Sequence, residues 1–350
     1  MMRLEAPLAS ALSPSEGERE NRLQSVVKPV SPENSCDALC CSLSPSDGER
    51  VRVRGIWTKS IRLNPAALVQ YFIGTLFLVC TVVARADTSE TNQPFHGVTY
   101  RFEARTNPPT RLFIAEIDLT NPEVRLRVSP AGTDPDGDGH WQTTLMQPTR
   151  IAAREGFDLV VNGDFFHARG VKDAEGTNST YHADVWAEVL GPAMSEGRTW
   201  ATSTNERPAL IVHEDRTVSI ENISQPREGS REIIAGNTML VENSQVIPHQ
   251  SKTRHPRTAA GLDARKSKLI LLVVDGRKPG VAVGMSYDEL AQELLRLGCH
   301  TAFNLDGGGS SVMAIRNPAT REYRILNQPT DGHERPVANV LGVIVGEHTN

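Results

Sequence analysis

Three apolar runs in this chain stop in the same manner. LVV runs into Asn162-Gly163-Asp164, LILLVV into Asp275-Gly276-Arg277, and AFNL into Asp306-Gly307-Gly308-Gly309-Ser310. Short apolar runs bounded by turn residues have the length of buried strands rather than of helices. Each run here then sets a polar group and a glycine where the strand meets solvent. Glycine lets backbone approach a ligand closely, and strand ends are where ligands commonly dock. One Asp-Gly end constrains little, because Asp-Gly is also an ordinary turn. Three such ends require a sheet-rich fold and suggest one shared pocket.

The neighbouring segments fit that reading. Residues 111–119 (RLFIAEIDL) and 124–128 (VRLRV) alternate apolar with polar around Asn121-Pro122, and are read as an antiparallel pair. Residues 148–155 read as a short helix, with Pro148 in the first turn and Gly156 past the end, before a strand at 158–162. Residues 167–205 are polar and read as long loops. A hairpin is expected from 209–213 and 217–220, and strands at 258–262 and 268–274 flanking a turn at 263–267. The clearest helix covers 286–297 (SYDELAQELLRL). Ser286 and Glu289 form a capping box, Gly298 suits the C′ position, and Tyr287, Leu290, Ala291, Leu294 and Leu297 share one face. Strands at 301–305, 312–315 and 340–345 follow. The strand–helix–strand passage from Leu269 to Leu305 points to parallel neighbours. The expected fold class is α+β: a mixed β-sheet core with a few packed helices in a single catalytic domain.

The 350 residues carry a net charge of −5. Residues 1–86 hold 10 Lys and Arg against 8 Asp and Glu, so the acidity belongs to the remainder. An acidic domain repels polyanions, and nucleic acid is not an expected partner. Four of the five cysteines precede residue 87, and Cys299, left alone, is read as a small buried hydrophobe. Residues 133–139 (TDPDGDG) resemble the start of a calcium loop but lack its distal Glu, so a solvated turn is expected. No metal and no cofactor is called for.

Residues 66–84 (AALVQYFIGTLFLVCTVVA) are apolar, preceded by Lys59 and Arg62 and followed by Ala84-Arg85-Ala86. This reads as a signal peptide over 64–86, cleaved after Ala86; an uncleaved membrane anchor is the alternative. Membrane contact is expected only through this segment, and the domain at 87–350 is expected to be secreted, periplasmic or in the cell envelope. Residues 1–63 read as a disordered leader. LSPSEGER at 12–19 recurs as LSPSDGER at 43–50, which suggests that translation starts downstream, around 51–62.

Three successive glycines, Gly307, Gly308 and Gly309, cost conformational entropy and need a reason. Such a run can aim backbone N–H groups at one anionic oxygen, with Ser310 adding a hydroxyl; a tight hairpin is the alternative. Arg257 stands directly before the small-residue strand Thr258-Ala259-Ala260-Gly261 and could place a bidentate guanidinium on a phosphate, unless it lies in a solvated loop. Arg277 has a similar claim.

Taken together, Val161-Asn162-Gly163-Asp164-Phe165-Phe166, Arg257-Thr258-Ala259-Ala260-Gly261, Val274-Asp275-Gly276-Arg277, Gly284-Met285-Ser286-Tyr287-Asp288-Glu289-Leu290-Ala291 and Asn304-Leu305-Asp306-Gly307-Gly308-Gly309-Ser310 resemble the phosphodiester glycosidase family. The resemblance spans roughly Val98 to Val345. It implies a hydrolase that cleaves the glycosidic C–O bond of a sugar-1-phosphodiester, with a carbohydrate phosphodiester as the substrate. Such chemistry needs a carboxylate facing the anomeric carbon and donors for the departing phosphate. Asp306 and Asp275 are the expected carboxylates. Arg257, Arg277, Thr258, the Gly307–Gly309 amides and Ser310 are expected at the phosphate, and Asn162 and Asn304 at sugar hydroxyls. Asp164 is placed at the site without a catalytic role, because the animal member is expected to have Gly there. Two other readings stay open. One is a metal-dependent phosphodiesterase using Asp164, His167, Asp275 and Asp306. The other is a non-catalytic envelope polysaccharide-binding protein with Trp141, Trp186 and Trp200 along a groove.

Overall fold

Apolar runs become strands in the computed structural model, which describes residues 87–170 and 181–346. The largest sheet has eight strands in the order Thr88–Phe95, Val98–Thr106, Pro109–Asp118, Lys268–Val274, Arg257–Leu262, Thr301–Asn304, Thr238–Glu242 and Gln245–Val246. A five-stranded sheet runs Tyr323–Ile325, Met313–Arg316, Leu159–Asn162, Val340–Val345 and Val124–Val128. A second five-stranded sheet runs Arg198–Ala201, Ala193–Ser195, Ser230–Ala235, Arg207–His213 and Val218–Ile223. Thr143–Thr144, Trp186–Val189 and Phe166–Ala168 form a three-stranded sheet. Helix α1 is Pro148–Glu155 and helix α2 is Tyr287–Arg296.

The strand Lys268–Val274 shows why its sequence is apolar throughout. Leu269, Leu271 and Val273 face one core with Phe113, Leu159, Phe303 and Leu341. Ile270, Leu272 and Val274 face a second core, where α2 contributes Leu290, Ala291 and Leu294. A strand covered on both faces loses the alternation of a half-exposed one. Helix α2 starts with the expected capping box, Ser286 accepting from the Glu289 amide while Glu289 accepts from the Ser286 amide. Cys299 is buried against Gly261, where an added Cβ would lie 2.6 Å from its sulfur; burial pushes its thiol up to about 12. The calcium-like stretch is a turn in which Asp134 accepts from the Asp136 and Gly137 amides.

Several expectations are corrected. The sheets are antiparallel, not mixed, at every strand pairing among the described residues. Lys268–Val274 and Thr301–Asn304 do run parallel to each other, but Arg257–Leu262 lies between them and pairs with both. With two helices among the described residues, the domain is more β-rich than a balanced α+β fold. Pro109–Asp118 does not pair with Val124–Val128. Its partners are Val98–Thr106 and Lys268–Val274, while Val124–Val128 pairs with Val340–Val345 in another sheet. The segment 167–205, expected as loops, holds three strands and the end of a fourth among the described residues, because strands of three or four residues leave little periodic signal. The leader, signal and anchor expectations fall on residues 1–86, outside the described residues. Among those described, no helix is long and apolar enough to cross a membrane.

Candidate active site

The three strand ends singled out in the sequence converge. Asn162, at the end of Leu159–Asn162, is fully buried. Its Nδ2 donates to the Asp306 carbonyl (2.6 Å), and its Oδ1 accepts from the Thr258 hydroxyl (2.7 Å) and the Val312 amide (3.1 Å). The Asp306 amide donates to the Gly163 carbonyl at 3.0 Å. The third end, Asp275-Gly276-Arg277, packs on Pro256: an added Cβ on Gly276 would lie 2.7 Å from the Pro256 nitrogen, and one on Gly307 2.9 Å from its carbonyl oxygen. Arg277 then reaches over Gly308.

Beyond Leu305 the chain forms a single 3-10 turn, Gly308–Ser310, with Gly308 in the left-handed region at φ 61°. Two of the three amides expected at a phosphate are engaged within the protein. The Gly307 amide donates to Asp306 Oδ1 (2.8 Å) and the Gly308 amide to the Pro256 carbonyl (2.9 Å), so both are spent on shaping the loop. Gly308 needs its freedom for the left-handed backbone and Gly307 for the Pro256 carbonyl against it, while arginine side-chain ends lie against Gly308 and Gly309. A Cβ on Gly308 would sit 3.3 Å from Arg277 Nη2, and one on Gly309 1.9 Å from Arg335 Nη2.

Asp306, the first residue of this loop, is partly exposed. Burial pushes its carboxyl up to about 6, against the Ser310 hydroxyl, the Gly307 amide and the Arg335 charge, which favour the ionised form. Asp164 is closed off. Its Oδ1 accepts from the Ala235 amide (2.9 Å) and its Oδ2 from Asn339 Nδ2 (2.5 Å). Burial pushes it to about 8 despite these donors, and the charge of Asp306 adds to the rise.

Asp275, expected as a second catalytic carboxylate, is also closed off. It is buried, and accepts from Asn327 Nδ2 (3.2 Å) and from the Gln328 amide (3.0 Å). Burial raises its pKa, with Gln328 and Asn327 opposing. The same Asn327 donates to the Ser311 carbonyl at 3.0 Å, so Asp275 supports the loop from behind. Asn162 and Thr258 likewise face the interior rather than a ligand. Asn304 donates to Asn237 Oδ1 (3.1 Å) and to the Leu305 carbonyl (2.6 Å), and its buried Oδ1 finds no partner among the described residues.

The basic groups gather around the turn. Arg257 is buried with its guanidinium 4.0 Å over the Tyr287 ring, and its Nε donates to the Met285 carbonyl at 3.0 Å. No carboxylate among the described residues pairs with it, and burial lowers its pKa. An arginine holds its charge even so. His255 lies 3.3 Å from Arg277 Nη2; burial, then the Arg257 and Arg277 charges, lower its pKa and keep the ring neutral near pH 7.

Sequence reasoning missed Arg335, Tyr181, Asn327 and Asn339. Asn339 had a signal, a lone amide between Val337-Ala338 and Val340-Leu341. Arg335 and Tyr181 had none, because they stand in turn-rich segments without periodicity. The metal-site alternative is not assembled: His167 bonds Glu188 (2.9 Å), and no group of three or more His, Cys, Asp or Glu among the described residues is arranged to hold an ion. Of the groove residues, Trp186 carries the Arg169 guanidinium at 4.2 Å and Trp141 meets the His140 ring.

A family model described as phosphodiester glycosidase matches residues 155–344. The SPbeta prophage-derived uncharacterized protein YomE of Bacillus subtilis (strain 168) is 34% identical over 172 residues, covering 45% of this chain. The chain spans 26% of that protein's length. Among solved structures, the zebrafish N-acetylglucosamine-1-phosphodiester alpha-N-acetylglucosaminidase catalytic domain, auto-inhibited by its pro-peptide, matches with a TM-score of 0.51 and 19% identity. That match covers 76% of this chain and 85% of the zebrafish chain, and it speaks for a shared fold.

Proposed function

This chain belongs to the phosphodiester glycosidase family, and from that premise we propose that it hydrolyses the glycosidic C–O bond of a sugar-1-phosphodiester in an exported glycoconjugate or polysaccharide. The observation that carries this reading is the buried Arg257 guanidinium, free of any carboxylate partner among the described residues, beside the loop that presents Asp306. A buried cation without a counterion is costly and is best explained by an anion that binds there.

In this reading Asp306 is the catalytic carboxylate. Ionised above about pH 6, it acts on the anomeric carbon, either directly or by taking a proton from water. The bond from that carbon to the bridging oxygen breaks, the electron pair leaves with the phosphate, and water supplies the hydroxyl of the freed sugar. The leaving phosphate is already acidic, so it needs charge stabilisation more than a proton, and Arg257 with Arg277 supplies it. Asp275 and Asp164 are positioning residues that brace the loop through Asn327 and Asn339.

The test is hydrolysis of sugar-1-phosphodiesters in 18O-labelled water, followed by proton and phosphorus NMR. Label in the free sugar and none in the phosphomonoester is the expected result. Label in the phosphate, or sugar-1-phosphate as a product, would mean P–O cleavage and end this reading.

A further inference from the structure

Gly308 and Gly309 are adjacent, yet they carry two arginines of different electrostatic character. Arg277, over Gly308, meets the neutral His255 ring and no carboxylate among the described residues. Arg257 lies on the same side, also without a carboxylate, so this flank of the turn is positive. Arg335, over Gly309, is neutralised by Asp331, with Nε and Nη2 each 2.9 Å from Oδ2. Its guanidinium lies 4.2 Å over the Tyr181 ring, and Tyr181 in turn meets the edge of Phe166 at 5.8 Å.

The two flanks suit different parts of one substrate. A phosphodiester monoanion is attracted to the positive flank. A sugar ring needs an apolar face for its C–H groups, an acceptor for its hydroxyls and a donor for its ring oxygens. Tyr181, one face of whose ring carries Arg335, together with Asp331 and Arg335 supplies groups of those three kinds, with no net charge to reward a phosphate.

We propose that the substrate lies across the turn with its phosphate on the Arg257–Arg277 flank and its sugar on the Tyr181–Arg335–Asp331 flank, which makes Asp331 and Arg335 specificity residues for the sugar. This rests on the hydrolase reading above. Asp331 and Arg277 are both exposed, so substitution of either should leave the fold in place.

The experiment measures inhibition of sugar-1-phosphodiester hydrolysis by inorganic phosphate and by the free monosaccharide product, in the wild type, Arg277→Gln and Asp331→Asn. Arg277→Gln is expected to weaken phosphate inhibition about tenfold, a loss typical of a charge-assisted hydrogen bond, with sugar inhibition unchanged. Asp331→Asn is expected to weaken sugar inhibition by a similar factor. Phosphate inhibition should then hold or strengthen, because Arg335 loses its counterion. Any other pattern overturns the orientation, including a phosphate loss in Asp331→Asn or no change in either variant. A wild type that turns over no sugar-1-phosphodiester would instead sink the hydrolase reading itself.

Discussion

Asp306 is partly exposed and Asp164 is not, and this difference sets what each can do. Asp306, pushed up to about 6, is ionised at neutral pH. kcat/KM should therefore rise with pH through about 6 as the carboxylate forms. Asp306→Asn should cut kcat/KM by about 10³-fold, the scale of losing a positioned acid–base group, with little change in Tm. Wild-type kinetics in that variant would remove Asp306 from the reaction. Asp164 bears on stability instead. Its folded value of about 8 lies far above the unfolded value of about 3.9. Between those limits the native state keeps a proton that the unfolded chain has released. Its contribution is thus full below about pH 4 and is lost as pH rises through about 8. Glu232, raised by burial to about 7, acts in the same direction. Asp164→Asn cannot titrate and would set an amide N–H against the Asn339 donor. It should lower Tm at acid pH and flatten the fall in Tm from pH 5 to 8; an unchanged slope would count against this account. Asp306 and Arg257 could be proposed from the sequence because each stands beside small residues at a strand end. The burial of Asp275 was not, since the Asn327 that covers it lies 52 residues away and enters only through the fold.

At the scale of elements, helix α2 does more than cover the sheet. The residue before its N-cap gives Arg257 a carbonyl acceptor, and its first residue, Tyr287, gives that guanidinium a face to lie on. Loosening the helix start should therefore reach the site. Ser286→Ala removes the acceptor for the Glu289 amide and should cost about 1 kcal/mol, read as a lower denaturant midpoint. KM for a phosphodiester should rise more than kcat falls, because Arg257 loses its alignment while Asp306 keeps its own. An equal loss in both would separate the helix from phosphate binding. The helix was the element most legible in sequence, since capping, apolar stripe and terminal glycine all agreed. The Val218–Ile223 hairpin was legible for a similar reason, as its turn residues are local. Partners distant in sequence were not, because period-two alternation says which face is buried and nothing about which strand lies alongside.

Across the whole molecule, one side chain ties the two sheets that build the site. Asn162 ends a strand of the five-stranded sheet, yet it bonds Thr258, in the eight-stranded sheet, and the Asp306 carbonyl just past the Thr301–Asn304 strand of that same sheet. The carboxylate proposed to react is thus held by a cross-sheet contact, and its position depends on how the two sheets meet. Asn162→Ala would leave the Asp306 carbonyl and the Val312 amide without their buried partner, while the Thr258 hydroxyl would lose its acceptor. A buried polar group left unsatisfied costs roughly 1–3 kcal/mol, so a loss of about 3 kcal/mol is expected, read as a lower denaturant midpoint at unchanged m. The catalytic loss should exceed what stability explains. A small displacement of a reacting group can cost about 10²-fold in rate, and kcat should fall by that order at temperatures where the variant is still fully folded. Asn162→Asp offers the sharper comparison, because it keeps the acceptor for Thr258 and Val312 but turns an acceptor toward the Asp306 carbonyl. If both variants lost stability yet kept wild-type kcat, the seam between the sheets would be structural only, and Asp306 would have to be aligned from within its own loop.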